Sequence, residues 1–400
     1  MSYGYPGQGP PPGGQWFPPE GSGYYQGFQQ APNAPYPQFQ QWPTGAPTQS
    51  PLPGQIYTPP SPNWEGVRTY DPEPPSVGYA LDGPPPPFMA VEASELRKAM
   101  KGIGTNESVL IAILSRLGPI EMEGVKTTYK AQHKRDLVRD VHSETSGKFR
   151  ECLESLLRGP LDEDCQNVYQ AIKGLGTKNS TLNDILLGRK NADMNAIKHR
   201  FHQIYHKSME YEVKSDLSLK TERLFEMIMT ASRRPETTPI NHQEIEADVR
   251  TIAHATEGHD TDKFVICDIF AHRSEGQLRT IAQAYQHHHG RTLQQCISAN
   301  FFGHMKDALL YMLQHAEDPA KLDADMIHDA IEGIGTRDAA LIRRIVAIHW
   351  NPDRLHQCKA AYYHYYHRHL ADAVRSETRG DYCKTLLACI GGTVTGVSIS

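Results

Sequence analysis

The sequence predicts an all-α protein of four tandem repeats, preceded by a tail without regular structure. Three observations carry this prediction. A glycine-rich string recurs at wide, related intervals after position 100. Apolar residues beyond position 90 fall on the helical period rather than alternating. Proline is sorted to one end of the chain, with 23 of its 29 copies in residues 1–90.

The tail comes first. Residues 1–90 also carry three of the four tryptophans, and 15 aromatics in all, but no lysine or histidine. Proline removes backbone donors throughout, and no apolar periodicity gives the aromatics a core to join. The segment is therefore expected to be disordered. Its aromatics suit either a solvated linker or weak multivalent contacts in self-association or partner capture. Residues 393–400 are a short C-terminal extension.

The helical part begins at Val91. Val109, Leu110, Ile113, Leu114 and Leu117 share one helical face, and so do Phe149, Cys152, Leu153, Leu156 and Leu157. Gly159-Pro160 stops the second of these helices. KGIGTNES at 101–108 returns as KGLGTKNS at 173–180 and EGIGTRDA at 332–339. Thr105 and Thr177 are 72 apart, and Thr177 and Thr336 are 159 apart, about twice as far. A degenerate copy, AHATEGHDTDKF at 253–264, keeps Gly258 but has no Gly-x-Gly-Thr. The repeats are placed at 91–160, 161–238, 239–318 and 319–392. Units of this size cannot bury their apolar faces alone, so they should stack into one body.

Composition excludes several functions. No run of about 18 apolar residues predicts a transmembrane helix. The first residues lack the basic and apolar regions of a secretory signal. Seven cysteines, an odd and sparse set, fit reduced buried thiols in a cytosolic protein. The chain carries a net charge of −5, of which −4 lies in residues 1–90. The near-neutral remainder suits neither nucleic acid nor an anionic membrane by bulk attraction. A membrane role needs something to bridge the charges.

Gly-x-Gly-Thr alone suits a loop between helices, with threonine capping the next helix. A carboxylate at fixed distance makes it more specific. Glu144 lies 39 residues after Thr105, Asp216 lies 39 after Thr177, and Glu377 lies 41 after Thr336. The degenerate unit has Ser298-Ala299-Asn300 in the corresponding place and no acid. Loop and acid are kept or lost together, which capping does not explain. Glycines let a loop turn carbonyls onto one point, and a carboxylate from a second loop completes the side of a hard cation such as Ca²⁺. Three carbonyls and one charge make a weak site, roughly 10⁻⁵ to 10⁻³ M. Lipid phosphate can fill its remaining positions.

These loops (MKGIGT, IKGLGT, IEGIGT), their distant acids, KRDL at 134–137, SETSGKF at 143–149 and ETRGDY at 377–382 resemble the annexin family over about residues 91–392. The Pro/Gly/Tyr tail is similar to that of its long-tailed members. The resemblance implies four five-helix repeats in a curved disc. It implies calcium-dependent, reversible binding to acidic phospholipids by a cytoplasmic protein, peripheral on the cytosolic face of membranes when calcium rises. Carried over by residue, it implies a first site from the carbonyls of Met100, Gly102 and Gly104 with Glu144. A second would use Ile172, Gly174, Gly176 and Asp216. A fourth would use Ile331, Gly333, Gly335 and Glu377. The third repeat should bind no calcium there. Lys101 and Lys173 would contact a lipid head group, and Glu332 would repel it. The family's arginine after the second helix matches Arg116, Arg189 and Arg273, read as structural. The fourth repeat has Ile348 or His349 there, with two extra residues near Trp350–Asp353.

An enzymatic reading finds little support. The loops lack the Gly-Lys-Ser/Thr ending of a phosphate loop and no strand precedes them. Cys383 and Cys389 fit packed positions rather than nucleophiles. His287–His289 and the HYYHRH segment at 364–369 fit solvated helix faces better than a zinc site. The rival to a calcium-bridged membrane protein is a calcium-independent scaffold acting through its tail.

Overall fold

The computed structural model describes residues 73–81, 83–173, 177–217, 219–257, 263–333 and 335–392. The described residues form 19 helices and no strand. They fall into four units of five helices. The first has α1 (Ala90–Ala99), α2 (Glu107–Leu114), α3 (Pro119–His133), α4 (Leu137–Glu144) and the first half of α5 (Gly147–Ile172). Gly159, at φ 68° and ψ 174°, breaks α5 into two helices, and Pro160 opens the second. That second half begins the next unit, with α6 (Asn179–Leu186), α7 (Asn191–Tyr205), α8 (Met209–Asp216) and α9 (Leu219–Met229). The third unit has α10 (His242–Glu257), α11 (Phe264–His272), α12 (Glu275–His289), α13 (Leu293–Asn300) and α14 (Gly303–Glu317). The fourth has α15 (Pro319–Ile331), α16 (Asp338–His349), α17 (Pro352–Tyr366), α18 (Leu370–Glu377) and α19 (Gly380–Cys389).

The apolar faces bury in two clusters. One joins the second and third units, through side chains such as Phe201, Phe225, Phe270 and Tyr285. The other joins the first and fourth, through Leu110, Tyr129, Ile345 and Tyr362. Pairing units in this way buries faces that a single unit would leave in water. A seam of paired charge lies between the clusters. Asp184 on α6 meets Arg343 at 2.5 Å and Arg344 at 3.1 Å, both on α16, and all three side chains are buried. A cavity of about 910 Å³ runs beside this seam.

An acid near the start of each unit's first helix anchors an arginine. Asp164 pairs with Arg189 at 2.7 Å, Asp248 with Arg273 at 2.7 Å, and Glu92 with Arg116 at 3.3 Å. The fourth unit lacks an arginine after its second helix, yet it keeps the pair. Arg354, in the first turn of α17, reaches Asp323 with two hydrogen bonds of 2.6 and 2.7 Å. With two extra residues near Trp350–Asp353, a later arginine reaches the corresponding acid.

The expectation of a solvated tail through residue 90 needs correction at its end. From Glu73 the chain packs on the second and third units. Ser76 Oγ donates to Asp193 at 2.6 Å, and the Glu73 carboxylate accepts from the Glu236 amide at 2.9 Å. The buried Tyr79 donates its hydroxyl to Asp164 at 2.5 Å and accepts from Arg189 at 2.9 Å. Burial pushes its ionisation well above the usual range. A tyrosine can leave a polar tail because its ring finds apolar cover and its hydroxyl finds partners. Residues 1–72 and 393–400, expected to be tail and extension, lie outside the described residues.

Two measurements check this packing. Asp323→Ala removes the buried carboxylate that takes two hydrogen bonds from Arg354, whose side chain stays 37% exposed, and should destabilise by about 2 kcal/mol. Glu92→Ala, whose partner Arg116 has a side chain 60% exposed, should cost under about 1 kcal/mol. Urea unfolding of the two variants compares them, and equal losses would refute the ranking. The second concerns His304, whose Nε2 lies 2.8 Å from Asn183 Oδ1 and joins the third unit to the second. Burial lowers its pKa to about 4. The folded chain then holds this ring neutral while the unfolded chain protonates it below about pH 6.5. With the ring only partly buried, stability should fall by about 1–2 kcal/mol as pH drops from 6.5 through 4. His304→Gln should flatten that part of the profile, and an unchanged slope would assign the loss elsewhere.

Candidate metal centre

Each Gly-x-Gly-Thr loop follows the first helix of its unit. One backbone bond closes each of the three. Asn106 N–H donates to Ala99 O at 2.9 Å, Lys178 to Ala171 at 3.0 Å, and Arg337 to Ala330 at 2.9 Å. Within the closure, Gly102 and Gly104 have φ 121° and 85°, and Gly333 and Gly335 have 112° and 85°. Only glycine adopts such angles without strain. A Cβ at any of these four positions would meet nothing within 4 Å. The backbone angle, not crowding, is what requires glycine. Among the described residues, no donor is bonded to the carbonyl oxygens of Met100, Gly102, Gly104, Ile331, Gly333 or Gly335. Gly174 and Gly176 of the second loop lie outside the described residues. Ile172, the last residue of α5, leads into that loop.

The acids occupy one structural position. Glu144, Asp216 and Glu377 are the last residues of α4, α8 and α18. The loop threonine reaches this position in every case. Thr105 Oγ1 donates to Glu144 O and Oε2 at 3.3 and 3.1 Å. Thr177 Oγ1 lies 2.8 Å from Asp216 O and 2.6 Å from its Oδ2. Thr336 Oγ1 reaches Glu377 O at 3.4 Å. Threonine as the cap of the next helix is thereby corrected, since Asn106, Lys178 and Arg337 hold the N-cap positions. The hydroxyl ties the loop to a helix end far away in sequence.

A carboxylate at a helix C-terminus opposes the helix dipole and the free carbonyls of the last turn. Here unbonded loop carbonyls are added close by. Such a concentration of oxygens suits a hard cation. No group of three or more His, Cys, Asp or Glu side chains placed to hold a metal occurs among the described residues. Lys101 and Lys173 are exposed at the loops, with Lys173 Nζ 5.2 Å from the Tyr169 ring centre. Glu332 replaces them in the fourth unit and lies 3.5 Å from His328 Nε2. A cavity of about 630 Å³ opens there between Gly333, Arg368 and Glu377.

The third unit differs in an informative way. The last residue of α13 is Asn300, and its carbonyl accepts from Lys263 Nζ at 2.9 Å. The same ammonium lies 5.7 Å from the Phe301 ring centre. A cation from the chain itself therefore sits where the other units present an acid. Sequence reading found the missing acid but not this lysine, although DK directly before an apolar helix was visible. Of the histidine clusters, His288 pairs with Glu246 at 3.0 Å on an exposed helix face. All seven cysteines are buried.

The family model described as Annexin matches residues 91–156, 163–228, 247–312 and 322–389. Annexin C1 of Cryptococcus neoformans is 35% identical over 327 residues, covering 78% of this chain and 69% of that protein. Human annexin A13 is 33% identical over 300 residues, covering 75% of this chain and 94% of that one. Among solved structures, calcium-bound annexin (Sm)1 aligns with a TM-score of 0.68 at 27% identity, covering 80% of this chain and 93% of its own.

Removing the threonine tie should loosen the loop it holds. Thr177→Val deletes both bonds to Asp216, and amide exchange at Lys178 should accelerate roughly tenfold, as for about 1.4 kcal/mol. Thr336→Val deletes only the long bond to Glu377, so exchange at Arg337 should change by no more than about twofold. Equal effects would contradict the role given to the carboxylate bond.

Proposed function

Since this chain belongs to the annexin family, we propose that it binds acidic phospholipid membranes reversibly, through calcium ions held at three of its four repeats. The carrying observation is the shared juxtaposition of a closed glycine loop and the acid that ends the fourth helix. The ligands in the first repeat are the carbonyls of Met100, Gly102 and Gly104 with the Glu144 carboxylate. In the second they are Ile172, Gly174, Gly176 and Asp216. In the fourth they are Ile331, Gly333, Gly335 and Glu377.

Calcium takes six to eight oxygens. Three carbonyls and one carboxylate leave positions that a lipid phosphate can take. The ion supplies positive charge between two partners that would not otherwise attract. Meanwhile the chain holds the oxygens in place, with glycines setting the loop and threonine orienting the acid. Lys101 and Lys173 add attraction for an anionic head group, which Glu332 withholds in the fourth repeat. The protein acts as a binding module rather than an enzyme, in the cytoplasm and on the cytosolic face of membranes. Repeats divide at 160, 238 and 318. No helix among the described residues is long and apolar enough to cross a membrane, consistent with peripheral contact.

Co-sedimentation with phosphatidylserine vesicles across a calcium titration tests this reading. The full chain should pellet only with calcium, and Glu144→Ala/Asp216→Ala/Glu377→Ala should stay in solution. A chain lacking residues 1–72 should still pellet, because the packed segment from Glu73 onward is kept. Binding that persists in chelator, or that is lost with residues 1–72, would favour a tail-driven scaffold instead.

A further inference from the structure

We infer that the third repeat contacts the lipid surface without a metal ion, by inserting Phe302 from the turn that the Lys263 ammonium holds at Asn300 and Phe301. This rests on the membrane-binding reading above. Ile103 and Phe302 are the two most exposed large apolar side chains among the described residues, at 110% and 78%. Ile103 is the tip of the first glycine loop, between Gly102 and Gly104. Phe302 lies two residues beyond Asn300, which ends α13 where the other repeats have their acids.

The backbone at Phe302 matches that of its counterparts. Its φ and ψ are −136° and 158°, against −149° and 166° for Ser146 and −139° and 161° for Arg379. The next residue is a glycine with φ 57° in the third repeat, 57° in the first and 61° in the fourth. Phe302 therefore leaves the same turn, at the same end of its five-helix unit, as Ser146 does beside Glu144. Exposing a phenylalanine to water here is unfavourable.

Charge identifies the partner. Asn300 O accepts from Lys263 Nζ, and the Phe301 ring faces the same ammonium. The third repeat thus presents a cation built into the chain at the position where its neighbours would recruit one. An exposed aromatic ring, one residue beyond the buried ring that packs on a fixed cation, suits the boundary between acidic head groups and acyl chains. A protein surface is the alternative occupant, and the test separates the two.

All seven native cysteines are buried, so a cysteine placed on this surface can be labelled selectively. Full-length Phe302→Cys and, separately, Ile103→Cys carry an environment-sensitive fluorophore. They are mixed with phosphatidylserine/phosphatidylcholine vesicles and calcium. Blue-shifted emission from both positions supports the proposal. A shift at position 103 without one at 302 overturns it and leaves the calcium reading standing. Silence at both, with no pelleting, overturns the calcium reading and this proposal together. In the unlabelled chain, Phe302→Ser should weaken vesicle affinity roughly tenfold, equivalent to about 1.4 kcal/mol. Phe302→Leu should restore most of it. Calcium-dependent pelleting of Phe302→Ser that matches wild type would also overturn the proposal, and would leave a protein partner as the occupant of this ring.

Discussion

A loop threonine meeting the last residue of a helix 39 or 41 positions later is the contact on which the proposed calcium sites depend. Neither partner has a binding geometry alone. The glycine loop offers carbonyls without a charge, and the helix end offers a charge without carbonyls. Bringing them together requires the first and fourth helices of a unit to pack at fixed positions. That is the task of the apolar cores. A carboxylate at a helix C-terminus is held in an unfavourable field, and a cation relieves it. In the third repeat Lys263 supplies a positive charge from within the chain, at the helix end where the other repeats have an acid.

The units are held to one another by two kinds of interaction with different consequences. Apolar burial joins the second unit to the third and the first to the fourth. Between these pairs lie Asp184, Arg343 and Arg344, where paired charge replaces a continuous core. Burying such groups is costly unless each finds its partner, so the seam fixes which helices face each other. Tyr79 adds to it from outside the repeats. Its hydroxyl links Asp164 and Arg189, the acid–arginine pair of the second unit. The chain preceding the repeats is thereby anchored at the pair that organises one of them.

Much of this was legible in the sequence. The helical period gave the fold class, and the recurrence of the loop gave four units. Glycine spacing and an acid 39 or 41 residues on were sufficient to pair loops with helix ends that the structure brings together, Thr105 with Glu144, Thr177 with Asp216 and Thr336 with Glu377. What could not be read depended on contacts between distant segments. Tyr79 sits in a proline-rich stretch with no local pattern, and only the acid and arginine of another segment give it a place. Arg354 was not singled out, because the two extra residues near Trp350–Asp353 move it past the position of the other three arginines. Lys263 appeared as one more basic residue before a helix. Threonine was assigned to capping because a local partner is the simplest expectation, whereas its hydroxyl is used across the fold.

The most direct test of this account is a crystal structure grown in calcium, with the ions located by anomalous scattering. The account predicts one ion against each of the Glu144, Asp216 and Glu377 carboxylates, at about 2.3–2.6 Å from the loop carbonyls. It predicts none at Asn300, where Lys263 Nζ stays on the carbonyl. Empty loops at saturating calcium, or an ion at Asn300 with Lys263 displaced, would contradict it.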